Sequence, residues 1–180
     1  MKSKNLHLIF LLVVTGFLLF CNGCTKDADL TKDLSSSQTV LKSGNGPVAV
    51  GQGIYHNLQG STTHFRFNAM IKPDGSVEGN GELKHLQPQG SMVKFNIDCL
   101  AVSGNAAVMS GVATESTFSL CPAGTPVVFR AVDNGEGGSD PDQMTGLYLY
   151  LDPGWGPWDC NNFPEQELIS IEQGNIQVKP

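Results

Sequence analysis

Charge is scarce in this chain: Asp, Glu, Lys and Arg together make up 16% of its 180 residues. Lys and Arg form no cluster and the formal net charge is −6, so a nucleic-acid partner, which needs a basic footprint, is not expected. No segment repeats apolar residues at helical spacing, which argues against a helical fold. The common catalytic signatures are missing: there is no G-x-S-x-G elbow, no P-loop, no G-x-G-x-x-G and no H-E-x-x-H. His56, His64 and His85 are scattered without zinc-site spacing, and His64, alternating with Phe65, falls on a polar strand face. Beyond Cys24 only Cys99, Cys121 and Cys160 remain, and no two of these form C-x-x-C. A structural disulfide with one thiol left over is expected, not a zinc site.

One long apolar run is present, from Leu8 to Phe20, broken by Thr15 and Gly16. It is shorter than the ~20 residues a helix needs to span a bilayer. Preceded by Lys2, Lys4 and His7, it reads as the core of an export signal. No A-x-A-like cleavage site follows. The run ends in Cys21-Asn22-Gly23-Cys24, which resembles a bacterial lipobox, although Cys21 and Asn22 stand where Leu and a small residue are preferred. Cys21 is the rival lipidation point, but Phe20 before it makes a poor cleavage position. The expectation is lipidation at Cys24, with cleavage after Gly23 and acylation of the new amino group. More than one acyl chain matters, since a single chain binds membranes only marginally.

This reading divides the chain into a lipoprotein signal peptide (1–23), a lipidated N-terminus with a polar tether (24–46) and one β domain (47–180). Thr25, not Asp, follows Cys24, so the usual inner-membrane retention signal is missing. Lys26-Asp27 and Lys32-Asp33 resemble the charged export signals of some surface lipoproteins. The expected address is the bacterial envelope, on the outer membrane, facing either periplasm or surface.

From residue 47 onward the dominant period is two. Phe65, Phe67, Ala69 and Ile71 share one face; Val93, Phe95, Ile97 and Cys99 share another. In 127–133 the cleaner inward set is Val127, Phe129 and Ala131, and Leu147, Leu149 and Leu151 alternate with Tyr148 and Tyr150. Turn signals at Lys72-Pro73-Asp74-Gly75 and Ser103-Gly104-Asn105 separate the strands. Strands are predicted near 48–55, 62–71, 76–84, 92–101, 106–114, 126–133, 145–151 and 168–178, about eight in all. The expected fold is all-β: a single antiparallel β-barrel or β-sandwich.

Three stretches bear on chemistry. Asp133, Glu136, Asp140 and Asp142 concentrate acid on a Gly-rich loop, and hard oxygen ligands there would suit calcium. The spacing is not that of an EF-hand, and a solvated hairpin loop accounts for the same residues. Trp155 and Trp158, among Gly and Pro, would display indoles to a glycan or protein partner, or else cap one end of the sheet. Glu165 and Glu167 form a nominal carboxylate pair, but as neighbours on an extended segment they fit the approach to the last strand better than glycoside hydrolysis.

Four segments in order carry a family resemblance: Phe65–Ala69, Cys99–Val108, Val132–Gly137 and Gly174–Val178. Across about residues 47–178 the chain resembles a group of all-β domains in secreted and lipid-anchored bacterial proteins. The resemblance implies a disulfide between Cys99 and Cys160, with Cys121 as an extra thiol, and no catalytic residue carries over. Spacing alone leaves Cys121 open as a partner of Cys99. The expected function is a non-enzymatic envelope lipoprotein, anchored through its lipid, whose domain binds a protein or glycan or decorates the surface. A lipocalin-like carrier of an apolar molecule and an envelope hydrolase are the alternatives.

Overall fold

The computed structural model describes residues 46–57, 60–86, 90–136, 140–149 and 158–180, and among them there is no helix. Ten strands form one antiparallel sheet: β1 (Val48–His56), β2 (Thr62–Ile71), β3 (Val77–His85), β4 (Met92–Ser103), β5 (Ala106–Ser116), β6 (Pro126–Val132), β7 (Gln143–Met144), β8 (Tyr148–Leu149), β9 (Ile169–Ser170) and β10 (Gln173–Lys179). The order is β10-β1-β2-β3-β4-β5-β6-β7-β9, with β8 also pairing β6. The two outer members of that order, β9 and β10, are consecutive in the chain, so the sheet is curled on itself.

The hairpins follow from their turn residues. At Lys72–Gly75, Gly75 takes φ +81° and donates its N–H to the Lys72 carbonyl, while the Asp74 carboxylate accepts the Ser76 N–H. Between β4 and β5 the loop is Gly104-Asn105, with Gly104 at φ +60°, a two-residue turn whose twist suits the flanking strands.

Aromatic rings fill the concave side. Tyr55, Phe65, Phe67, Phe95 and Phe129 are each 4% exposed or less. The Phe129 ring on β6 meets Phe67 of β2 at 5.2 Å and Phe95 of β4 at 5.7 Å, both edge to face. Strands four places apart in the sheet thus touch through their inner faces. Burying each ring stabilises the fold by roughly 1.5–3 kcal/mol.

The curl depends on what lies beneath those rings. Gly81 pairs with both Phe67 and Phe95, Gly51 with Phe67, and Gly53 with Phe65. A Cβ on Gly81 would overlap the Phe95 ring, and one on Gly51 would overlap Phe67. Glycine lets each ring lie flat over the neighbouring strand and lets the strand bend.

Two register shifts in the β4–β5 pair set which residues face outward. Ile97 pairs with Gly111 but Cys99 pairs with Ser110, leaving Asp98 as the extra residue of a bulge. The bulge corrects the expected inner set of Val93, Phe95, Ile97 and Cys99. The first three are buried in the core, but past Asp98 the alternation flips, Leu100 takes the inner place and Cys99 turns outward.

Two expected strands differ: 168–178 divides into β9 and β10, and of 145–151 only Tyr148–Leu149 is strand among the described residues. Residues 145–151 do not run as one strand: after β7 the Thr145 hydroxyl accepts the Arg130 N–H at 3.0 Å and donates to the Gly146 carbonyl, taking the place of a ladder bond to β6. Tyr150 and Leu151 lie outside the described residues. Between β9 and β10, Ile171 donates its N–H to the Asp142 carbonyl and Glu172 donates to that of Ile54.

Candidate functional site

The acids singled out on the 133–142 loop meet strand β10 along its free edge. Asp142 Oδ2 accepts the Ile176 N–H at 2.7 Å, and its Oδ1 accepts the Asn134 N–H at 2.8 Å. Asp133 does the same two residues along, taking Val178 N–H and Gly135 N–H, each at 2.9 Å. Glu136 accepts from the Asn175 side chain at 2.7 Å. Ile176 and Val178 point their N–H groups to one edge because they are two apart on a strand, so two carboxylates substitute for a neighbouring strand's carbonyls. Asp140 is exposed and lines, with Glu136, Asp142 and Glu172, a shallow depression of about 230 Å³. Among the described residues, no three His, Cys, Asp or Glu side chains are grouped to hold a metal ion.

On the convex face a transverse row runs through Cys99, Ser110, Val128 and Tyr148, one residue from each of β4, β5, β6 and β8. Cys99 is bonded to Cys160, with Cα atoms 5.7 Å apart, inside the usual Cα range for a disulfide. Cys160 donates its N–H to the Ser110 hydroxyl at 3.2 Å. Asp159 then organises a turn by accepting the N–H groups of Asn161 and Asn162. The segment 158–163 is thereby tied to the outside of the sheet. There Trp158, Tyr148 and Phe163 form a mutual edge-to-face cluster at 5.4–6.2 Å, each ring half-buried. Trp158 is thus placed outside the sheet, whereas Trp155 and Cys24 lie outside the described residues. Cys121 is a free, fully buried thiol, raised above its ordinary pKa by burial, partly offset by a bond with Thr125. Glu165 and Glu167 are exposed, and Glu165 reaches Arg130 only at 4.0 Å.

The same convex face, further round at β2–β5, is polar. Glu82 sits between Arg66 at 3.1 Å and Lys84 at 3.0 Å. Burial pushes its carboxyl up, but the bond to Lys84 and the two cations outweigh that and leave it below the usual range.

A third cluster was not legible in the sequence. His56 ends β1 and Thr62 begins β2, where they are cross-strand partners. Glu172 comes from the β9–β10 turn. His56 Nδ1 is bonded to the Glu172 carboxylate, and His56 Nε2 lies 3.1 Å from Thr62 Oγ1. A carboxylate only accepts, so Nδ1 carries the proton; in the neutral imidazole Nε2 is then free to accept from the Thr62 hydroxyl. The three residues are exposed or half-exposed. His and Glu are 116 residues apart in sequence, so no spacing motif could have paired them.

No family model, curated protein or solved structure matches this chain.

Proposed function

We propose that this protein is a lipid-anchored envelope protein whose β domain works through its outer surface. The observation behind this reading is the ring-filled concave side. Phe67, Phe95 and Phe129 pack against one another across the space where a lipocalin-like carrier would hold its cargo. With the interior occupied by the chain's own side chains, the convex face is the part available to a partner. The tied-down cluster of Tyr148, Trp158 and Phe163 is the surface such a protein or glycan partner would meet. In this reading the curled sheet is a barrel rather than a sandwich, its seam between β10 and the β6–β7 connection completed by Asp133 and Asp142.

The anchor is tested by fractionating bacteria that express the chain or its Cys24→Ala variant. The parent chain is expected in the membrane fraction, with an intact mass showing a diacylated or triacylated Cys24, and the variant in the soluble fraction. A mature chain cleaved elsewhere, or a variant still bound to membranes, overturns it. Native mass spectrometry of the purified protein tests the outward-facing role. A stoichiometric apolar molecule retained by the domain would favour the carrier instead.

A further inference from the structure

We infer that Thr62, His56 and Glu172 form an acyl-transfer site that accepts uncharged esters. The atoms stand in the order such chemistry needs: a hydroxyl within 3.1 Å of one imidazole nitrogen, and a carboxylate bonded to the other. The three side chains come from β1, β2 and the β9–β10 turn: His56 and Thr62 face each other across one hairpin, and Glu172 joins them from 116 residues away. The backbone fixes the geometry. His56 and Thr62 are held side by side in the β1–β2 ladder, and the Glu172 N–H bond to the Ile54 carbonyl holds the turn beside them. Accessibility is the second point, since His56 and Glu172 are both about half exposed.

In the forward step the Thr62 Oγ1 attacks the ester carbonyl and its proton passes to His56 Nε2. The alcohol leaves, taking that proton, and the acyl group remains on Thr62. A water then gives its proton to the same Nε2 and attacks the acyl carbon. The carboxylic acid departs and the Thr62 oxygen recovers the proton, so the net change is ester plus water to acid plus alcohol. His56 is the general base and Thr62 the nucleophile; Glu172 is a positioning residue that holds the imidazole with Nε2 toward Thr62. Glu172 also lines the shallow depression shared with Glu136, Asp140 and Asp142. That acidic surround disfavours anionic esters, which is why the substrate class is uncharged. This inference goes beyond binding and display, because it gives the outer face a reaction of its own.

The test is acetylation of the full-length protein in detergent by p-nitrophenyl acetate, read by intact mass and peptide mapping. One acetyl group is expected on Thr62, with surface lysines as internal controls for non-specific labelling. His56→Gln and Glu172→Gln should each slow Thr62 labelling roughly tenfold or more, with lysine labelling unchanged. Thr62→Ser, which keeps a hydroxyl, should still be labelled at position 62 and serves should Thr62→Ala fail to fold. Equal labelling of Thr62 in parent and His56→Gln proteins overturns the inference, and so does lysine labelling with neither acetyl on Thr62 nor His56-dependent release of p-nitrophenol.

Discussion

Asp142 Oδ2 lies 2.7 Å from the amide nitrogen of Ile176, on the edge of β10 that no strand covers among the described residues. Asp133 stands in the same relation to Val178. An open strand edge invites pairing with another chain, and here carboxylates occupy it. Asp142 is buried, so Asp142→Ala leaves two backbone N–H groups without their acceptor and should destabilise the protein by about 3 kcal/mol. Asp142→Asn keeps one acceptor oxygen and should cost less than half as much. Urea unfolding monitored by tryptophan fluorescence checks both; equal losses would mean that the charge, not the number of acceptors, matters.

The glycines beneath the aromatic rings offer a second measurement. Gly81→Ala puts a methyl group into the Phe95 ring and should cost about 1–3 kcal/mol. Adding Phe95→Leu should recover part of that loss, because the contact is shared between the two positions. Simple additivity in a double-mutant cycle would place the strain elsewhere.

Acid should weaken the fold through His85. Thr63, fully buried, is 2.9 Å from His85 Nδ1, and burial lowers the His85 pKa from its ordinary 6.5. The folded imidazole therefore stays neutral at a pH where the unfolded one has taken a proton. The stability tied to this group is complete above pH 6.5 and falls as pH drops from there toward the lowered folded value. The melting temperature should decline between pH 7.5 and 5.5, and His85→Gln should flatten that decline. An unchanged slope in the variant would assign the acid sensitivity to other groups.

The cysteines should behave as two classes. Cys99 and Cys160 close a loop spanning 61 residues, so Cys99→Ala with Cys160→Ala should cost about 2–4 kcal/mol. Cys121, fully buried and with its thiol raised by burial, should resist iodoacetamide in the native protein and react once denatured. Native alkylation of Cys121 at the rate of a free thiol would contradict its placement.

The alternation of apolar residues was enough to place the long strands β1 to β6 within a few residues, because hairpin neighbours leave a local period of two. It failed where side chains intervene in the ladder. At the start of one expected strand the Thr145 hydroxyl takes the N–H that a ladder carbonyl would, and Asp98 inserts a bulge that turns Cys99 outward. Neither leaves a trace in hydrophobic pattern, since a bulge changes register without changing composition. The acidic loop was visible as a cluster of charge, but not its pairing with β10, which joins Asp133 to Val178 across 45 residues. The partnership of Glu172 with the His56–Thr62 hairpin pair was hidden for the same reason: closure of the sheet, not proximity in sequence, brings it there.

The register of the first strand has a consequence for timing. Val48 pairs with Lys179 and Ala49 with Val178, so the first strand of the domain waits for its tenth. A nascent polypeptide would have that β1 edge unsatisfied until β10 has been made. Loop closure over such a span is slow, and early intermediates lack a completed core. A domain with this connectivity is held open by its own topology until β10 emerges.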